Sequence, residues 1–302
     1  MTSRDATDDP RHGAGPIDDM GDEERRAPVD LTTAARPRIE IAEALNKGWF
    51  EIWYQPKIDL KRKCLAGAEA LARIRHPELG VLLPGSYIPD VTEESIKALT
   101  EHALVSTLRA WNMFNEAGFN LHLAINVPVT VLQRLPISDL VRENRPSAPN
   151  WPGLILEVTE DQIVRDIKLA NEIAQQLREN GITISIDDFG AGFSCFASLR
   201  ELLFAELKLD HSFVAQCATD PTNAAICQTA IDLAHRFGSA AVGEGIENGA
   251  DLQALMLMGC DFGQGALIAP PMPKERFLDL LRRRLNNQHP QPGALAADAS
   301  AA

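Results

Sequence analysis

The chain has 302 residues, 45% of them hydrophobic and 24% charged, the balance of a soluble globular protein with room for one large domain. Its formal net charge of −13 opposes nonspecific binding to DNA or to an anionic membrane, and a phosphorylated small molecule would need a divalent cation between itself and the acids it approached. Five cysteines without a C-x-x-C pair and seven histidines without H-x-H or H-x-x-x-H spacing argue against a disulfide framework and an imidazole-rich zinc centre.

In chain order, residues 1–38 are rich in Asp, Arg, Pro, Gly and Thr, have few large apolar groups, and read as a disordered leader. They hold no apolar core of a signal peptide, and no later apolar run is long enough to cross a bilayer. The expectation is a cytoplasmic protein with no membrane insertion. The ordered part should span 39–285. "FEIWYQPKIDL" and "CLAGAEALARI" are strand-like runs separated only by a polar turn at Lys61 to Lys63, too short for a helix, so they predict an antiparallel hairpin.

Further strands are predicted at "LHLAIN", "LILEV", "ITISID", "AELKLD", "AAVGE" and "CDFGQG", with helical patterns between most of them. Thr92 is a candidate N-cap for a helix running through "EESIKALTEHALVSTLRAWNMF", with Glu93 and Glu94 in its first turn. Gly181, Gly238 and Gly259 stand where three later helices should stop. Eight strands in strand–helix alternation predict an α/β fold, a (β/α)8 TIM-type barrel whose first strand is antiparallel. The segment 286–302 reads as a disordered tail.

The strands end on polar groups. Glu69 sits near the end of the second, Asn126 ends the third, Glu157 the fourth, and Asp187 and Asp188 the fifth; Lys208 lies in the sixth, Glu244 follows the seventh, and Gln264 follows the last. A barrel gathers strand C-termini on one face, so these side chains should meet in one mouth. Any one of them, and the Asp187–Asp188 pair above all, could be a solvated strand end. Five converging carboxylates repel one another unless a cation neutralises them, and oxygen donors with an amide and no His or Cys point to Mg²⁺ or Mn²⁺. An adjacent aspartate pair suits two nearby ions, the arrangement used for attack of water on a phosphodiester.

The segments "YQPKIDL", "EALAR", "HPELG", "LEVTE", "IDDFGAGFS", "LKLDHSFV", "GEGIE" and "GCDFGQG" resemble, in order and spacing, the EAL-domain cyclic di-GMP phosphodiesterases of bacterial signalling, over roughly residues 39–285. The resemblance implies a barrel with an antiparallel first strand and metal-dependent hydrolysis of cyclic di-GMP to linear pGpG, with two metals per active site. It implies that Glu69, Asn126, Glu157 and Asp187 hold one metal and Asp187 and Asp188 the second, with Gln264 holding metal-bound water. Lys208 would orient the attacking water, although a lysine that merely neutralises its acidic neighbours fits the residues as well. Glu244 matches a water-handling or general-base position.

By the same resemblance, Arg73 would pair with a substrate phosphate, and Gln55 and Asp210 would contact substrate; Asp210 also reads as a simple cap of the next turn. Glu160 and Glu247 would anchor the "FGAGFS" loop, which links the metal site to a homodimer interface. The chain departs from the family pattern at Ala191, Phe193 and Cys195 in that loop, at His211, and at Gly243, Asn248 and Ala266, and it lacks the usual Pro and Asp before the lysine motif. None of these removes an implied ligand. The alternative is a catalytically weak or inactive EAL protein acting as a cyclic di-GMP receptor or as an adaptor for a protein partner. A different barrel enzyme that abstracts a proton through one metal ion would leave the aspartate pair without a use.

Overall fold

Strands β1 (Phe50–Asp59) and β2 (Cys64–His76) form the expected antiparallel hairpin, with Gln55 opposite Glu69 and Trp53 opposite Leu71. This computed structural model describes residues 40–88, 91–165, 167–190 and 202–288. The expected leader, most of the expected tail, and Ala191, Phe193 and Cys195 of the glycine-rich loop lie outside the described residues.

A short strand β3 (Gly80–Leu82) extends the hairpin, pairing Leu82 with Ile74. The parallel series follows as β4 (His122–Asn126), β5 (Leu154–Thr159), β6 (Ile182–Phe189), β7 (Glu206–Leu209), β8 (Ala240–Gly243) and β9 (Phe262–Gly263). β2 pairs parallel with β4, and each strand then pairs parallel with the next as far as β9. β9 closes the ring by running antiparallel to β1, with Ile58 opposite Gly263. The result is an eight-stranded closed barrel, to which β3 and β10 (Met272–Pro273) add edge pairs.

All eight predicted strands occur. The shorter elements have no sequence periodicity to announce them: β3 and β10 are two or three residues long, and the helices Pro84–Tyr87, Val129–Leu132 and His211–Val214 are each four residues. The longest helix, Glu93–Glu116, starts at Thr92, whose side chain accepts from the Ser95 N–H. Helices Ile167–Arg178, Pro221–Arg236 and Gly249–Met258 fill the other predicted places, and Gly259 ends the last with φ +88°.

The outer face of the barrel carries the main apolar core. Tyr54 of β1 packs edge-on against Phe114 of the long helix, with Phe277 of helix Lys274–Gln288 beside both. Burying an aromatic side chain stabilises by about 2 kcal/mol or more, so this trio fastens β1 to the helical layer although its pairing is antiparallel. Along each barrel strand alternate residues face inward, so Gln55 and Lys57 of β1, Glu69 of β2, Glu157 of β5, and Glu206 and Lys208 of β7 point into the barrel rather than to the helices.

No described helix is long and apolar enough to span a membrane.

Candidate active site

A local irregularity answers why two aspartates end β6. Alternation would send consecutive side chains to opposite faces. The β6–β7 register instead slips between Ile186 and Phe189, leaving one extra residue on β6, and Asp188 takes φ +54°. Asp is among the few side chains that tolerate this left-handed conformation, and a bulge is the usual way for a strand to re-aim a side chain. Asp187 stays buried while Asp188 is exposed at the mouth. The Asp188 N–H donates back to Asp187 Oδ1 at 3.1 Å, which pins the corner.

The pit below is organised around one ammonium. Lys208 is 1% exposed, and its Nζ lies 2.7 Å from Glu244, 2.9 Å from Glu157, 3.0 Å from Asp187 and 3.6 Å from Glu69. These acids come from β2, β5, β6 and the residue after β8, so the barrel unites groups spread over most of the sequence. Burial works against the charged Lys208, but Glu157, Glu244, Glu69 and Asp187 together hold its pKa well above the ordinary lysine value.

The acids respond differently to the same surroundings. Glu157 is pushed well above the usual carboxylate range by burial and by the neighbouring Glu69 charge. Glu244 is raised to about 8 by burial, with Asp187 and Glu69 adding to the rise and Lys208 opposing it. For Glu69, burial also raises the pKa, but Lys208 and hydrogen bonds from Glu157, Gln264 and Asn126 outweigh it and leave the group below its ordinary value. Asp188 is raised by burial and by Asp187 and Asp210. Four acids around one lysine therefore carry surplus negative charge, and part of it is relieved by protonation.

The amides fix orientation. Asn126 Nδ2 donates to Glu69 Oε1 at 2.7 Å, so its own oxygen remains available as a ligand. Gln264 Nε2 donates to the other Glu69 oxygen and to Gln55 Oε1 at 3.1 Å, and Gln55 Nε2 reaches the Ala269 carbonyl at 3.3 Å. Glu69 is thus clamped from both sides. Carboxylate oxygens of Asp187, Asp188 and Glu244 lie within 4.8 Å of one another, which makes an all-oxygen group suited to a hard divalent cation. Glu244 therefore stands within ligand reach of the aspartate pair. Glu69 and Glu157 instead line the pit around the lysine.

The remaining expected residues fall nearby or at the rim. Asp210 accepts from the Ser212 N–H at 2.9 Å and from its hydroxyl, so it does cap the turn His211–Val214. Glu160 Oε2 accepts from the Gly190 N–H at 3.1 Å, the last described residue before the glycine-rich loop. Glu247 is exposed, with no hydrogen bond or ion pair among the described residues. Between Glu244 and Glu247, Gly245 turns with φ +62°, where an added Cβ would sit 2.5 Å from His211 Cβ; only glycine fits that crossing. Arg73 on β2 is 8% exposed and lies over Trp53 at 5.7 Å. The sequence reading did not single out Trp53. Its signal was the two-residue spacing to Gln55, which puts both on one face of β1.

Comparison with known proteins agrees with this geometry. Residues 38–271 match the EAL domain family. The chain is 36% identical over 236 residues to the cyclic di-GMP phosphodiesterase PA2567 of Pseudomonas aeruginosa, covering 78% of this chain and 40% of that protein. It is 31% identical over 264 residues to the cyclic di-GMP phosphodiesterase RocR of the same organism, covering 83% and 65%. The chain therefore spans between two fifths and two thirds of these relatives' length. Among solved structures, the MucR phosphodiesterase in complex with cyclic di-GMP superposes with a TM-score of 0.72 at 32% identity, covering 78% of this chain and 97% of that one. The EAL enzyme Bd1971 with cAMP and cyclic di-GMP bound gives 0.71 at 28%, covering 80% and 67%. A barrel with an antiparallel first strand, an acidic mouth and this match over most of its length make the chain a member of the EAL domain family.

Proposed function

We propose that this EAL barrel, spanning residues 39–285, hydrolyses cyclic di-GMP to linear pGpG with two Mg²⁺ or Mn²⁺ ions in its mouth. The observation that carries the reading is the surplus of negative charge there: four carboxylates face one lysine, and Asp187, Asp188 and Glu244 approach to ligand distance. The identities of the relatives support the substrate. Bound ions would neutralise this surplus and lower the pKa of water, the chemistry that in-line cleavage of a phosphodiester uses.

The protein's own groups divide the remaining work. Asp187, Asp188 and Glu244, with Glu69, Glu157 and Asn126 on the other side of the mouth, are the oxygen donors for the cations. Gln264 holds Glu69 in place through its amide and leaves its own oxygen for a water. Lys208 keeps its proton at Nζ among the acids, and its N–H groups orient a water at the pit. Arg73 at the rim is the cation for a substrate phosphate, with Gln55 and Asp210 beside the path into the barrel.

The test is product analysis by chromatography with Mg²⁺ or Mn²⁺, with Glu69→Ala as control. The proposal predicts pGpG from the wild type and a loss of at least roughly 10³-fold in the variant. Cyclic di-GMP that binds and stays intact with both metals would overturn it in favour of a receptor.

A further inference from the structure

The arginine assigned above to the substrate phosphate is held in place by groups that do not themselves reach into the pit. Trp53 stands opposite Leu71 across the β1–β2 ladder, which makes Arg73 its diagonal neighbour on the same face. The Arg73 guanidinium lies over the indole, its Cζ 5.7 Å from the ring centroid. The ring is fixed in turn, since Trp53 Nε1 donates to Glu51 at 3.0 Å. Both oxygens of that carboxylate are engaged by Arg75, at 2.6 and 3.1 Å. Arg73 Nη1 donates to the Ala72 carbonyl at 2.8 Å.

These contacts orient the fork without using it up. Arg73 Nε is buried and has no hydrogen-bond partner, and no hydrogen bond from Nη2 is made among the described residues. The buried hydroxyl of Tyr87, at the end of helix Pro84–Tyr87, is also unpartnered. A buried guanidinium N–H left without an acceptor is costly, and an anionic oxygen arriving along the Nε–Nη2 edge would satisfy it. Arginine stacked on an aromatic face loses little further freedom when that oxygen binds.

We propose that Trp53 is a positioning residue for the known family chemistry: its ring presets the Arg73 guanidinium so that the Nε–Nη2 edge faces a phosphodiester oxygen of the bound dinucleotide. The inference rests on the proposed function, from which it takes the substrate and the role of Arg73. It adds that the arginine's affinity depends on an aromatic face beneath it. Trp53 acts through Arg73, so its influence disappears when Arg73 is removed. Cation–π contacts at partly exposed sites are worth about five-fold in affinity, and that sets the size of the effect.

The experiment is a double-variant cycle on the full chain, reading the Kd for cyclic di-GMP by calorimetry without divalent metal, where the substrate stays intact, and KM and kcat at saturating Mn²⁺. Trp53→Leu is expected to weaken binding and raise KM about five-fold while kcat stays within two-fold, and Trp53→Phe, which keeps a ring, to stay within two-fold of wild type. In an Arg73→Ala background, Trp53→Leu should add nothing. A Trp53→Leu effect that persists undiminished without Arg73 would overturn the inference, as would wild-type affinity in Trp53→Leu itself. If Trp53→Leu lost its fold, Trp53→Met, a flexible apolar chain without a ring, takes its place: the same roughly five-fold loss is expected with Arg73 present and none in the Arg73→Ala background, and any other pattern contradicts the coupling. Failure of the underlying reading looks different: the wild type would not bind the nucleotide, or Arg73→Ala would bind it unchanged.

Discussion

Among the described residues, the barrel interior holds two clusters of buried charge, one above the other, and they differ in balance. In the lower one Lys57 of β1 meets both oxygens of Glu206 at 2.6 Å, one base against one acid. In the upper one Lys208, two residues after Glu206 on the same strand, meets four acids from four other places in the chain. Both are shielded from water by the same fold. The lower pair is complete and asks for nothing more. The upper cluster is short of positive charge, and in the cation-free state it makes up the shortfall by keeping Glu157 and Glu244 protonated far above the ordinary carboxylate range. Burial of charge is therefore not what marks the site; imbalance is.

Substitutions in the two clusters should break this contrast in opposite ways. The largest effect is expected on turnover: Lys208→Met should lower kcat for cyclic di-GMP by at least roughly 10³-fold, while Lys57→Met should leave it within a few-fold, measured at saturating Mn²⁺. Comparable losses in both would erase the distinction. The lower pair should show itself in stability instead of turnover. Removing one partner of a complete buried pair strands the other, so Lys57→Met should cost about 3–5 kcal/mol of unfolding free energy in denaturant titration. The double variant Lys57→Met with Glu206→Leu should recover most of it, and equal destabilisation of single and double variants would contradict the pairing.

Next in size is the response to pH. Glu244 sits at about 8 against an ordinary 4.5, and Glu157 is raised as well, so the folded cation-free protein binds more protons there than the unfolded chain. Their contribution to stability is then fully present below about 4.5 and drains away as pH rises toward 8. Cations take the place of those protons. The rise in melting temperature on adding Mn²⁺ should grow between pH 5.5 and pH 8 by several degrees, and a constant shift would contradict the proton-for-metal exchange. The smallest effect is at the bulge. Asp188→Asn keeps a side chain that tolerates φ +54°, so the melting temperature without metal should move little while Mn²⁺ binds more weakly, roughly ten-fold by calorimetry. Unchanged Mn²⁺ affinity would remove Asp188 from the ligand set.

Much of this was legible in the sequence because the fold writes its periodicity there. Eight apolar runs gave eight strands, and the short turn at Lys61 to Lys63 left only a hairpin between the first two. Glu157 and Asp187 converge because strand C-termini share a rim, whereas Glu69, read as near a strand end, is the sixth of the 13 residues of β2 and meets them from mid-strand. What stayed hidden depends on distance or dihedral rather than pattern. Lys57 and Glu206 pair across 149 positions, and neither strand alone announces the other. The bulge that turns the Asp187–Asp188 corner lives in one backbone angle. Trp53 reads as another β-forming aromatic until the hairpin register sets it beside Arg73. At Gly243, the space a methyl would take lies 2.7 Å from Leu255 Cδ1, an adjustment between strand and helix that no single-sequence pattern contains.

The claim on which the rest depends is that the unbalanced upper cluster, and not the balanced lower one, takes divalent cations. Anomalous diffraction from crystals soaked in Mn²⁺ tests it directly. The account predicts two peaks about 4 Å apart, bounded by Asp187, Asp188, Glu244 and the Glu69–Asn126–Glu157 side of the pit, with none at Lys57 and Glu206. An empty mouth at saturating Mn²⁺, or peaks confined to other surfaces, would contradict it.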